Sequence, residues 1–119
     1  MPSFLRISGP LPIFLAVLVA AGCGGDSPSE PVPTTEVSVR DNFFQPTDIV
    51  VSPGATVNWE WAGAAQHNVT WDMADLPGSQ TQVQGEHEVT MPTTPGEYGY
   101  HCTIHVGVGM RGTVRVEAN

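Results

Sequence analysis

The strongest constraint on this chain is the run Cys102-Thr103-Ile104-His105-Val106-Gly107-Val108-Gly109-Met110, together with a second histidine, His67, 35 residues before Cys102. A thiol, an imidazole and a thioether follow one another within nine residues, and two of the intervening residues are glycine. If all four side chains meet, one loop wraps three sides of a site and a distant strand supplies the fourth donor. The fold must then bring the His67 segment against the end of the segment that leads into Cys102.

The rest of the sequence reads as β. Val37 and Val39 alternate with polar neighbours, and Asp48 to Ser52 is a β-branched run closed by the turn signal Pro53-Gly54. Val57, Trp59 and Trp61 alternate with Asn58 and Glu60, the pattern of a half-buried strand with aromatics on one face. His67 to Trp71, His87 to Met91, Tyr98 to Cys102 and Arg111 to Glu117 read as further strands. Between them lie an irregular excursion over Asp72 to Gly85 and the turn Pro92-Thr93-Thr94-Pro95-Gly96. About seven or eight short strands at this spacing predict an all-β, two-sheet sandwich. Helical periodicity is absent beyond the amino-terminal apolar run.

The chemistry of the four side chains is specific. A thiolate with two imidazoles makes a trigonal plane, a thioether is a weak axial donor, and the set suits copper in both oxidation states. Zinc fits the first three donors as well, although methionine is a poor zinc ligand. Taken singly, each residue has an ordinary structural role. It is the Cys-x2-His-x4-Met spacing after an aromatic-rich strand, with His67-Asn68 on an earlier one, that points to a metal. His87, Met73 and Met91 lack such spacing and read as structural, and His101 reads as a surface residue.

Over residues 36–119 the chain resembles the small cupredoxins of the plastocyanin and amicyanin kind. The matching elements are Phe44-Gln45-Pro46, Val51-Ser52-Pro53-Gly54, His67-Asn68-Val69, the run from Gly96 to His105, and Gly109-Met110-Arg111-Gly112. The resemblance implies a Greek-key β-sandwich binding one copper ion through His67, Cys102, His105 and Met110, with the metal cycling between Cu(II) and Cu(I). It also implies that the Asn68 backbone N–H donates to the cysteine sulfur, with the Asn68 side chain tied to Thr103. Plastocyanin-like loops carry proline where this chain has Ile104, whose N–H is expected to give the sulfur a second hydrogen bond. His105 is the expected electron port, set among Val106, Gly107 and Val108, with Gly63, Ala64 and Ala65 contributing to the apolar surface where redox proteins dock transiently.

The implied function is a single-electron carrier, not an enzyme. Copper delivery is the alternative, but a delivery protein favours exposed Met- or His-rich clusters. Copper enzymes with this fold need further metal centres. A metal-free adhesive sandwich leaves the four-residue set unexplained.

Residues 1–22 read as a secretory signal, since Leu11 to Ala21 is too short an apolar run to span a bilayer comfortably. Ala20-Ala21-Gly22-Cys23 resembles a bacterial lipobox, which implies lipidation of Cys23, a membrane anchor and an extracytoplasmic location. Cleavage nearby without a lipid is the plainer possibility. Residues 23–35 read as an extended Pro/Gly/Ser linker, and 36–119 as the folded domain. The net charge is −8 with no lysine, which argues against nucleic acid as a partner. A carrier that must dissociate quickly is expected to be a monomer.

Overall fold

The computed structural model describes residues 30–73 and 75–118. Within them lie nine strands: β1 (Val32–Pro33), β2 (Glu36–Arg40), β3 (Phe43–Gln45), β4 (Asp48–Val51), β5 (Thr56–Trp61), β6 (Thr70–Trp71), β7 (Glu86–Thr90), β8 (Gly96–His101) and β9 (Arg111–Val116). One 3-10 turn, Val106–Val108, interrupts the loop between β8 and β9. The strands form two sheets, ordered β1-β4-β9-β8-β6 and β3-β2-β5-β7. β2 pairs in parallel with β5 and β4 with β9, so the chain crosses between sheets, as a Greek-key sandwich requires. Among the described residues no helix is long and apolar enough to cross a membrane.

Alternation puts the apolar half of each strand inside. Val57, Trp59 and Trp61 of β5 are buried, as are Val37 and Val39 of β2 and Val114 and Val116 of β9. Large rings fill the space between the sheets: Tyr100 meets Phe44, Trp59 and Trp71 edge-on, at centroid distances of 4.7, 5.3 and 5.3 Å. Such side chains each contribute roughly 1.5–3 kcal/mol by leaving water. Cys102 and Met110 belong to the same buried cluster. The site is therefore continuous with the core.

The strand pattern differs from the sequence reading in four places. Phe43–Gln45 is a strand, because the two-residue turn Asp41-Asn42 folds it back on β2, with Arg40 opposite Phe43. Val32–Pro33, read as linker, pairs in parallel with Ile49 and Val50 at the sheet edge, where a proline is tolerated. The strand expected over His67 to Trp71 is only Thr70–Trp71, and His67 instead makes an isolated bridge with Gln82. β8 stops at His101, which leaves Cys102 at the head of the loop. The expected signal sequence and the lipid site at Cys23 lie outside the described residues.

Candidate metal centre

Register assembles the site. Thr70 of β6 lies opposite His101 of β8, and His101 opposite Arg111 of β9. The start of β6, the end of β8 and the start of β9 thus meet at one end of the sheet, and each is flanked by a candidate ligand. The loop from Cys102 to Met110 closes on itself: the Cys102 N–H donates to the Met110 carbonyl at 3.1 Å, and the Met110 N–H to the His105 carbonyl at 3.3 Å. The N–H groups of Val108 and Gly109 donate to the carbonyls of His105 and Val106, both at 3.0 Å. Gly109 takes φ +88°, a left-handed conformation that favours glycine.

His67 is held from several sides. Its backbone exchanges two hydrogen bonds with Gln82, each 3.0 Å, and its carbonyl also accepts from the Trp61 indole N–H at 3.1 Å. Its ring is fully buried, and Nε2–H donates to Asp41 Oδ1 at 2.8 Å. A carboxylate only accepts, so Nε2 carries a proton, and in the neutral ring Nδ1 then keeps its lone pair. That hydrogen bond, with those of the Ala65 and Ala64 N–H groups, lowers the Asp41 carboxyl from 3.8 to about 2.

The donor atoms converge. Cys102 Sγ lies 3.9 Å from His67 Nδ1 and 3.6 Å from His105 Nδ1. The imidazole centroids are 4.8 Å apart, and the three donor atoms fall within 4.8 Å of one another. Cys102 is a free thiol, buried like His67, while His105 is half-buried. Met110 is fully buried at the end of the same loop. Among the described residues this is the cluster of histidine, cysteine and carboxylate groups arranged to hold a metal.

The surrounding residues divide by what they touch. Asn68 is buried and joins the two ligand segments: its Nδ2 donates to Thr103 Oγ1 and Thr81 Oγ1, both at 2.9 Å, and its Oδ1 accepts the Thr103 N–H at 3.1 Å. The backbone N–H groups expected to donate to the sulfur, those of Asn68 and Ile104, are not among its partners in the described residues; the contacts of Sγ are the two Nδ1 atoms. Ile104 and Val108 are exposed, at 49% and 69%. His101, expected at the surface, pairs its Nδ1 with Asp72 Oδ1 at 2.5 Å and is only partly exposed. His87 donates to the Pro77 carbonyl and Met91 lies in the core, whereas Met73 is exposed. Asp41 was missed by the sequence reading. It sits 26 residues before His67, and only the turn-forming pair Asp41-Asn42 hints at anything there.

Two imidazole nitrogens and a thiol sulfur, with a buried thioether on the same loop, fit copper by softness and by number. Fold and site together define a small β-sandwich of the cupredoxin type with a His-Cys-His cluster consistent with a single copper site. The chain belongs to the copper binding proteins of the plastocyanin/azurin family, which it matches over residues 34–117. It is 30% identical over 84 residues to plastocyanin of Scenedesmus fuscus, covering 62% of this chain and 86% of that one. To the chloroplastic plastocyanin of Hordeum vulgare it is 32% identical over 83 residues, covering 61% of this chain but only about half, 54%, of the relative. Among solved structures, the oxidized plastocyanin of Dryopteris crassirhizoma superposes with a TM-score of 0.59 at 26% identity, covering 69% of this chain and 99% of that one.

Proposed function

We propose that this chain is a type 1 copper electron carrier in which His67 Nδ1, Cys102 Sγ and His105 Nδ1 would hold the metal and Met110 would add a weak thioether ligand. The observation that carries this reading is the convergence of two imidazole nitrogens and a thiol sulfur within 4.8 Å, two of the three on fully buried residues. Copper bound there supplies a one-electron Cu(II)/Cu(I) couple. The residues do the remainder. Protein hydrogen bonds around His67 and across the 102–110 loop hold the donors in place, so little would rearrange when charge changes. Burial of Cys102 and Met110 keeps water from the sulfur atoms. The half-buried His105 offers the route to the surface, beside the exposed Ile104 and Val108, where a redox partner docks transiently.

Delivery of copper is disfavoured by the same burial, because a partner cannot reach His67, Cys102 or Met110 to exchange the ion. The likeness to plastocyanins supports electron transfer outside the cytoplasm. The amino-terminal signal and the Cys23 lipobox supply the finer reading of a membrane-tethered monomer handing electrons between extracytoplasmic partners. The test is to add one equivalent of Cu(II) and record visible absorption and electron spin resonance. An intense blue band with narrow copper hyperfine splitting is the expected result; a weak ordinary Cu(II) spectrum would refute the assignment.

A further inference from the structure

Asp41 lies in the turn between β2 and β3, in the opposite sheet from the Cys102 loop, yet it is bound into the site from two directions. One carboxylate oxygen accepts the Nε2–H of His67 at 2.8 Å and the N–H groups of Ala64 and Ala65, each at 3.0 Å. The other oxygen also accepts from Ala64, at 3.1 Å. The close approach of the 63–65 turn depends on Gly63: a Cβ there would stand 2.3 Å from Asp41 Oδ1 and 2.9 Å from the Asp41 backbone nitrogen. Asn42, the next residue, takes φ 75° and completes the turn that aims the carboxylate. The His67 ring is fully buried, while the Asp41 side chain is 46% exposed, so a surface charge is tied directly to a buried imidazole.

We propose that Asp41 is a positioning residue for the metal: it locks His67 in the Nε2–H tautomer, turns Nδ1 towards Cys102 and His105, and biases the couple towards the oxidised ion. The inference rests on His67 being a metal ligand. Two physical effects follow from a carboxylate in this place. A hydrogen-bonded carboxylate fixes the orientation of a ligand imidazole and raises its basicity. A negative charge one imidazole ring from the metal stabilises the doubly charged ion more than the singly charged one, which lowers the reduction potential. A neutral acceptor would supply the first effect without the second. The alternative is that Asp41 only ties down the 63–65 turn.

Asp41→Asn separates these possibilities. The amide oxygen keeps an acceptor in place of Oδ1 for His67, Ala64 and Ala65, so the tautomer is retained, while the charge is lost together with the second acceptor for the Ala64 N–H. In the copper-loaded chain this variant should show a higher reduction potential than wild type, with the blue band preserved. Asp41→Ala removes the acceptor as well, and its Cu(II) affinity, measured by competition with a chelator, should fall roughly 10- to 100-fold. A potential in Asp41→Asn equal to or below that of wild type would overturn the proposal. So would an Asp41→Ala protein that folds, by circular dichroism, and binds Cu(II) as tightly as wild type. A wild-type chain that gives no blue site would remove the ligand assignment itself and the proposal with it, a failure visible before any variant is made.

Discussion

The amide of Asn68, only 6% exposed, has every hydrogen-bonding group engaged: two donors to Thr81 and Thr103, and an oxygen that accepts from Thr103 and from the Thr70 hydroxyl. Asn68→Ala removes the acceptor of the Thr103 N–H, a part-buried hydrogen bond, at a cost of about 0.5–1.5 kcal/mol. Urea unfolding of the metal-free chain should show it as a lower midpoint, and an unchanged midpoint would count against the linking role. Asp41 makes a prediction in pH. In the fold it lies at about 2, below the ordinary carboxyl value of 3.8, so its contribution is fully present above about 4 and disappears as pH falls towards 2. Wild-type stability should therefore fall more steeply than that of Asp41→Asn across this window, with the two curves running parallel above it. The sequence is uneven at this scale. The spacing of His67, Cys102 and His105 names residues whose donor atoms the fold brings together. Asp41 is invisible in it, because its partner lies 26 residues on, outside the paired strands, and nothing local to Asp41-Asn42 marks an imidazole as neighbour.

Between β8 and β9 the pairing of Tyr100 with Gly112 sets how closely the sheet edge approaches the core rings. A Cβ on Gly112 would stand 2.5 Å from the Tyr100 phenol carbon and oxygen and 2.9 Å from the Thr47 carbonyl. Gly112→Ala must displace ring or backbone, at a cost of about 1–3 kcal/mol. The phenol oxygen is buried near the Trp59 ring, and burial raises its pKa well above the ordinary range, so it stays neutral. Because that oxygen stands in the way of the added Cβ, Tyr100→Phe combined with Gly112→Ala should recover part of the loss. Strict additivity of the two in thermal unfolding would show that the oxygen is not the obstacle. Strands of this kind were legible where alternation persists, as in Thr56–Trp61. Phe43–Gln45 and Val32–Pro33 were not, being two or three residues long and defined by their partners rather than by any period of their own. His67 to Trp71 has the composition of a strand, but its first residues bridge Gln82 instead of joining β8.

For the molecule as a whole, the donors are built into a core that lacks a covalent staple: Cys102 is a free thiol among the described residues. A metal held by these residues would link the His67 segment to the 102–110 loop, closing the end of the sandwich where three strand termini meet. Binding to the folded chain alone stabilises it by mass action, about 4 kcal/mol when free metal exceeds its dissociation constant 1,000-fold. For a domain of this size each kcal/mol moves the melting temperature by about 4–8 °C. Copper loading should therefore raise it by roughly 15 °C or more, and His67→Ala or Cys102→Ser should abolish most of the rise. The shape of the transition carries a second test. The hydrogen bonds around His67 and across the 102–110 loop run between protein groups, so copper is expected to add links to a surface already buried, and the denaturant slope should stay the same while the midpoint moves. A steeper slope on loading would mean that the loop folds only around the ion, and the site would then be shaped by the metal instead of by β6, β8 and β9.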